Sequence, residues 1–298
     1  QMQKRILLTG STGFLGSYLL ESFISRGIEV AIILRSTSNT WRISQLLDKV
    51  IVYNLDKIKL EVIFDEYRPE IIVHTACSYG RNGERITDIL NSNLFFGLEL
   101  LQEAIRTNVN TFINSNSLLP RNITDYSLSK AQFTDWLIQK SDQIQVVNLN
   151  IEHMYGVRDD EKKFIPWLIS EMKNNKKQIN VTAGVQKRDF VYVTDVVDAF
   201  NIVIQKLKIL PAWNQFDVGT GTFTEVREVV QKIAEIIENR YGKSIFSRLN
   251  FGSIPYRRGE IMIPKLSNKE LITLGWDSKI GINEGLKLIL SEHVIINQ

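Results

Sequence analysis

The stretch RILLTGSTGFLGSYLLESF, residues 5 to 23, restricts what this chain can fold into more than any other. A short apolar run, Arg5 to Leu8, leads into glycines at positions 10, 13 and 16. Apolar residues then recur at helical spacing from Phe14 to Arg26, and Gly27 stops the helix. Strand, glycine turn and helix in that order open a parallel α/β sheet that holds a dinucleotide. Gly10 permits the tight turn, Gly13 lets the backbone approach a pyrophosphate, and Gly16 allows close packing of helix on strand. The helix offers free N–H groups and the positive end of its dipole to an anion. Thr12, Phe14 and Leu15, between the glycines, belong to the same candidate cofactor-binding set.

Further strands are expected at Glu29–Leu34, Ile51–Tyr53, Ile71–His74, Thr111–Asn114 and Gln145–Leu149. Helical patterns separate them, and the one from Asp88 to Arg106 repeats Leu94, Leu98, Leu101 and Ile105 along one face. Such alternation predicts an α/β fold, a Rossmann-type doubly wound parallel sheet with helices on both faces. Beyond Leu149 the pattern breaks up. FIPWLISEMKNNKK reads as a helix, INVTAG as a strand and turn, and RDFVYVTDVVDAFNIVIQ as a strand followed by a helix capped near Thr194. FDVGTG reads as another strand, SNKE at Ser267–Glu270 as a capping box, and a last helix is expected from about Asn283. Residues 1–150 are therefore expected to form the dinucleotide-binding domain, with about 186–218 returning to it. Residues 151–298 would form mainly a smaller C-terminal α/β substrate-binding lobe. A chain of 298 residues with 44% apolar content can bury a core of that extent.

Charge and composition exclude several functions. Thirty-six Lys and Arg against 33 Asp and Glu leave a net +3, too balanced for a nucleic-acid partner. One cysteine, Cys77, excludes an intramolecular disulfide and suits a reducing, cytoplasmic setting, while His74, His153 and His293 lack metal-ligand spacing. No run approaches the roughly twenty apolar residues of a membrane span, and the first residues lack the layout of a secretory signal. A soluble protein with no membrane partner is expected, and Gln1 before Met2 reads as an added residue.

The glycine spacing resembles the TGxxGFLG fingerprint of the extended short-chain dehydrogenases/reductases, the epimerase/dehydratase group. After the second strand, where NAD enzymes place an acid for the ribose hydroxyls, this chain has Leu34, Arg35 and Ser36. A cation there attracts a 2′-phosphate, so NADP(H) is expected ahead of NAD. The resemblance implies that Asn54 and Leu55 lie against the adenine. It further implies that Thr75 and Ala76, in the place of the family's HxAA stretch, lie near phosphates and ribose, and that Asn93 is a cofactor contact. His74 reads as a core histidine and Cys77 as a packed residue.

DYSLSKAQFTDWL places Tyr126 four residues ahead of Lys130 at a helix start, so both side chains share a face. A phenol with an ordinary pKa near 10 needs roughly 4 kcal/mol of phenolate stabilisation to be lowered by about three units, and a neighbouring ammonium contributes to it. Tyr53 and Lys57 have the same spacing, but only Tyr126 follows a strand that runs into SNS. FINSNS is similar to the family's FIxSSS line and aligns Ser117 with its catalytic serine. The resemblance implies that Ser117 bonds the substrate carbonyl, Tyr126 donates the proton, and Lys130 holds the nicotinamide ribose. Leu118 and Leu119 stand where sugar-nucleotide 4,6-dehydratases carry Asp-Glu, so the acid and base of a dehydratase are missing.

Asn150-Ile-Glu-His-Met-Tyr-Gly156 occupies the place of the family's RxFNVYGP, with Asn150 for an arginine, His153 for a sugar-contacting asparagine and Val157 for the proline. Along nearly the whole chain, IEHMYG, KFIPWLI, KRDFVYVTDVVDAF and FDVGTG look most like the CDP-abequose and CDP-paratose synthases of that family. By that resemblance Ser117, His153, Lys163, Phe164, Arg188 and Arg257 contact a nucleotide sugar. The implied reaction is NADPH-dependent reduction of the 4-keto group of a CDP-4-keto-3,6-dideoxyhexose-like compound, in O-antigen or other polysaccharide sugar biosynthesis. A sugar-nucleotide 4-epimerase using the same trio and a catalytically silent dinucleotide-binding sensor remain open. Family habit implies a homodimer through the helices from Asp88 and Leu128.

Overall fold

The computed structural model describes residues 4–174, 178–242 and 244–292, and His293 lies outside the described residues. Six strands come first: β1 Arg5–Thr9, β2 Glu29–Leu34, β3 Ile51–Asn54, β4 Ile71–His74, β5 Thr111–Ser117 and β6 Gln145–Ile151. Further strands follow: β7 His153–Tyr155, β8 Ile179–Val181, β9 Lys187–Arg188, β10 Phe190–Tyr192, β11 Trp213–Val218, β12 Thr224–Glu225 and β13 Leu249–Phe251. The helices are α1 Phe14–Ser25, α2 Leu60–Tyr67, α3 Ile86–Leu90, α4 Phe96–Arg106 and α5 Asp125–Lys140. They continue with α6 Phe164–Lys173, α7 Val193–Lys206, α8 Val226–Tyr241, α9 Lys269–Thr273 and α10 Ile282–Glu292.

The chain divides into two compact units, one of residues 1–151 and 197–217 and the other of residues 152–196 and 218–298. Unit one is a seven-stranded sheet in the order β11-β6-β5-β4-β1-β2-β3, a doubly wound α/β sheet as expected. Its registers are parallel, with Leu7 opposite Ala31 and Ile72, and Ile113 opposite Val73 and Val147. Ile6, Leu7, Leu8, Ile72, Val73, Phe112 and Ile113 are wholly buried. Continuous apolar strands of this kind are what a sheet covered on both faces requires. Strand order reverses between β1 and β4, so their C-terminal ends open the crevice where such sheets take ligands. Asn201 of α7 bonds Ser22 of α1 at 2.9 Å, and Lys4 bonds the Ile204 carbonyl at 2.7 Å, which ties residues 197–217 to this unit.

The expected Asp88–Arg106 helix is interrupted. A π-helical turn, Asn91–Phe95, separates α3 from α4 and turns Asn93 inward to 1% exposure. The helix at Ser267–Glu270 starts one residue later than SNKE places it: α9 runs from Lys269 with Asn268 as its N-cap, and the Asn268 amide donates to the Gly219 carbonyl at 2.9 Å. The helix placed near Thr194 begins at Val193.

Unit two is built on three two-stranded pairings: β7 with β10 in parallel, β8 with β13 in parallel, and β9 with β12 antiparallel. The apolar stripe of α8, Val229, Val230, Ile233, Ala234 and Ile237, is buried, as are Leu286, Ile289 and Leu290 of α10. Asp195 anchors the C-terminal segment: its carbonyl accepts from the Trp276 indole at 2.8 Å, and its carboxylate accepts from the Lys279 and Ile280 amides at 3.0 Å.

Candidate functional site

At the β1 to α1 turn, Gly10 has φ 72°, a conformation that side chains disfavour. A Cβ on Gly16 would lie 2.0 Å from the Gly10 carbonyl oxygen, and one on Gly10 would lie 2.5 Å from the Ala76 amide nitrogen. Nothing larger than glycine fits either place. Gly13 is the N-cap of α1 and brings no side-chain cap, so the first-turn amides face outward beside Thr12, Phe14 and Leu15. A glycine cradle joined to an uncapped helix start fits a diphosphate.

The ends of β2 and β3 are cross-linked. Asn54 donates from Nδ2 to Ser36 Oγ at 3.1 Å and accepts from the Asp56 amide at 2.9 Å, while the Leu55 amide bonds the Leu34 carbonyl. Arg35 and Ser36 are exposed at this edge. Two residues that the sequence reading passed over also stand here. Asp56 accepts the Ser36 amide at 2.6 Å, and hydrogen bonds from Ser36, helped by the charge of Arg35, hold its carboxyl below the usual range. Arg42 stacks over Trp41 at 4.5 Å and donates from Nη1 to the Thr12 carbonyl at 3.2 Å, so its guanidinium adjoins the glycine turn. Neither sits in a periodic segment, and no spacing rule would have found them.

Beneath the turn, Thr9 Oγ1 lies 2.7 Å from His74 Nδ1, and Thr75 Oγ1 donates to the Thr9 carbonyl at 2.8 Å. His74 is wholly buried among the rings of Phe96, Phe112 and Phe133. Burial, with the Lys130 charge, pushes its imidazole down to about 3, so the ring is neutral. Asn93 is committed within the protein: Oδ1 accepts the Ser78 amide at 2.6 Å, and Nδ2 donates to the Ser78 carbonyl and to Ser129 Oγ. It therefore fastens the loop after β4 to α5.

Ser117 ends β5, and Tyr126 and Lys130 lie on the first turns of α5, which Thr124 caps through the Ser127 amide at 3.0 Å. Lys130 is 2% exposed and donates to the Ser115 carbonyl at 2.6 Å, tying the helix to the end of β5. Burial lowers this ammonium below the ordinary lysine range. The Tyr126 phenol is pushed above its ordinary range, by burial first and the Cys77 thiol second, with Arg81 acting in the opposite sense. Burial is the largest of these influences, and it favours the neutral phenol. The neighbouring faces of β5, β6 and β11 carry an amide ladder in which Asn114 meets Asn148, Asn116 meets Asn150, and Asn150 donates to Asp217 at 3.0 Å.

In unit two, Arg188 is 7% exposed. Its guanidinium pairs with Glu260 and bonds the Ile261 carbonyl at 2.6 Å, and Arg257 Nε reaches the other Glu260 oxygen at 3.0 Å. The two candidate cations thus share one carboxylate, another residue missed in the sequence. Asp189 next to it accepts from Thr220 N, Thr220 Oγ1 and Gly221 N, pinning the FDVGTG turn. His153 Nδ1 lies 2.8 Å from Glu152, Lys163 pairs with the buried Asp159 at 2.8 Å, and Phe164 rests against Trp167. No metal-binding cluster occurs among the described residues, and none of their helices is long and apolar enough to cross a membrane.

Residues 6–219 match the model of the NAD dependent epimerase/dehydratase family. CDP-abequose synthase of Salmonella muenchen is 31% identical, over 97% of this chain and 98% of its own length. Two solved structures share the fold. UDP-glucose 4-epimerase of Thermotoga maritima with UDP-glucose has a TM-score of 0.83 at 23% identity, covering 99% of this chain and 100% of its own. UDP-glucose 4-epimerase of Thermus thermophilus with NAD has 0.76 at 24%, covering 96% and 98%. Glycine cradle, strand order and family match agree, and the chain belongs to the NAD-dependent epimerase/dehydratase family of extended short-chain dehydrogenases/reductases.

Proposed function

We propose that this protein reduces the 4-keto group of a nucleotide-linked deoxysugar with NADPH, the substrate being of the CDP-4-keto-3,6-dideoxyhexose class. The observation that carries this reading is the β5 to α5 junction, where Ser117, Tyr126 and Lys130 share one end of the sheet and Lys130 is tied to Ser115. Likeness to CDP-abequose synthase over nearly the full length supports the substrate class.

Gly10, Thr12, Gly13, Phe14, Leu15 and Gly16 would hold the cofactor pyrophosphate. Arg35, Ser36 and Arg42 would take the 2′-phosphate, Asn54 and Leu55 the adenine, and Thr75 and Ala76 the ribose side. NADPH, when bound, supplies the hydride. Tyr126, kept as a neutral phenol by burial, donates its proton to the carbonyl oxygen. Ser117 bonds the same oxygen and orients it, and Lys130 holds the ribose and offers positive charge to the phenolate that proton transfer leaves. Leu118 and Leu119 provide no acid or base for elimination, so the chemistry stops at reduction. In unit two, His153, Lys163, Phe164, Arg188 and Arg257 would contact the nucleotide sugar, the two arginines through its diphosphate. Exposed Phe95, Trp136 and Ile138 on the π-turn and α5 support a homodimer.

Tyr126→Phe tests the assignment: turnover should fall by about 100-fold or more while NADPH binding is kept, and an active variant would refute it. One observation favours a second reading, an NAD-retaining 4-epimerase. Asp56 places a carboxylate beside Ser36, where negative charge opposes a 2′-phosphate.

A further inference from the structure

Between β4 and α3 the loop Cys77–Arg85 carries groups that the reaction just described leaves unassigned. The Tyr79 ring lies against the Tyr126 ring with centroids 4.9 Å apart and planes tilted by 33°. On Tyr79 sits the Arg81 guanidinium, 4.7 Å from the ring centroid. The loop that presents them is braced. Asn93 holds both the amide and the carbonyl of Ser78, and Glu84 accepts from Ser78 Oγ at 3.3 Å, the Asn82 amide at 2.7 Å and the Asn82 side chain at 3.3 Å. Gly80 and Gly83, with φ of 68° and 78°, make the reversals that let Tyr79 and Arg81 turn back over α5.

We infer that Tyr79 and Arg81 are positioning residues for Tyr126, the stacked ring fixing the orientation of the phenol and the guanidinium directing positive charge toward it. The inference rests on the reading of Tyr126 as the proton donor. Tilted ring pairs at this separation and a cation over an aromatic face are both attractive arrangements, so the stack holds itself together. A guanidinium stays charged at every working pH, and its field favours the phenolate that forms as Tyr126 gives up its proton. Two other titratable groups stand nearby: Lys130, one turn along α5, spends its ammonium on the Ser115 carbonyl, and the Cys77 thiol at the start of the loop opposes ionisation. Arg81, on the exposed side of the loop, thus favours the phenolate against both burial and the thiol.

The test is the pH profile of kcat/KM for ketone reduction at low and high salt. Reduction fails as Tyr126 loses its proton, so removing Arg81 should move that basic limb upward. For Arg81→Gln the expected shift is about half a pH unit, as befits one exposed charge a ring away. Arg81→Lys should restore the wild-type limb. In 1 M salt, where the screening length is about 3 Å, wild type and Arg81→Gln should converge. Tyr79→Leu should lower kcat several-fold, about the size of one lost aromatic pair, and Tyr79→Phe should restore it. An unmoved limb in Arg81→Gln, or equal losses in Tyr79→Leu and Tyr79→Phe, would overturn the inference.

A second arm does not depend on turnover. In protein labelled at the tyrosine ζ carbon, the Tyr126 resonance is identified by its absence in Tyr126→Phe. It should shift in Tyr79→Leu and in Arg81→Gln, and constancy in both would overturn the stack. If no nucleotide sugar is reduced yet these shifts occur, the reductase reading fails while the stack stands.

Discussion

Acid should destabilise this protein through His74, and the size of the effect follows from its surroundings. The imidazole is wholly buried, bonded through Nδ1 to Thr9, and its Nε2 has no hydrogen-bond partner among the described residues. Its pKa falls from 6.5 to about 3 in the folded state. Because the folded value is the lower, the unfolded chain takes up the proton first as pH falls. The stability His74 provides is therefore complete above 6.5 and is lost steadily down to about 3. Each pH unit in that window costs about 1.4 kcal/mol, and about 2 kcal/mol is gone by pH 5. His74→Phe keeps an aromatic ring in an aromatic pocket and removes the titration. Urea unfolding of both proteins at about pH 7.5 and about pH 5 isolates the term, since titration of the carboxylates cancels in the difference. The wild-type advantage over His74→Phe should shrink by about 2 kcal/mol at the lower pH. An unchanged difference would mean that the imidazole titrates normally and that the burial argument is wrong.

Gly16→Ala would put its Cβ 2.0 Å from the Gly10 oxygen. It should cost about 1–3 kcal/mol and abolish nucleotide binding, read by denaturation and by calorimetry with NADPH; retained affinity would show that the turn is not the cradle. At the edge of β2, Asp56→Asn should tighten NADP(H), and Arg42→Ala and Arg35→Asp should each weaken it by about ten-fold, the loss of one charge-assisted bond to phosphate. Fluorescence titration with NADPH and NADH checks the direction. Arg188→Ala leaves the Glu260 carboxylate, 13% exposed, with Arg257 as its remaining ion-pair partner, and should lower stability by about 1–3 kcal/mol while raising KM more than it lowers kcat. Arg188→Ala combined with Glu260→Gln should recover the stability alone, which separates packing from substrate contact.

The sequence spoke most clearly where local chemistry decides the structure. Gly10, Gly13 and Gly16 announce the turn because no side chain fits there, and the β-branched runs announce strands buried on both faces. What was hidden depends on contacts between distant residues. The Tyr79–Tyr126 stack and the Arg42 bond to Thr12 join positions far apart in loops that carry no periodicity. The π-helical turn at Asn91–Phe95 lies inside a regular helical pattern, and only the inward placement of Asn93 reveals it. Unit two was harder to read because its strands, two or three residues long, take their partners from remote segments, as Thr224 does from Arg188. SNKE placed the helix start one residue early, because Asn268 and not Ser267 stands at the N-cap, where its amide also reaches the remote Gly219 carbonyl. Of the candidate residues, Arg188 and Lys163 stood out by charge, but their partners Glu260 and Asp159 could be found only in three dimensions.

Net reduction is decided by the stoichiometry of NADPH consumed against a CDP-linked 4-keto-3,6-dideoxyhexose. The wild type should oxidise one NADPH for each 4-hydroxy sugar formed, and Tyr126→Phe should oxidise none. Interconversion of 4-hydroxy nucleotide sugars with no net loss of NADPH would contradict it and leave the epimerase reading in its place.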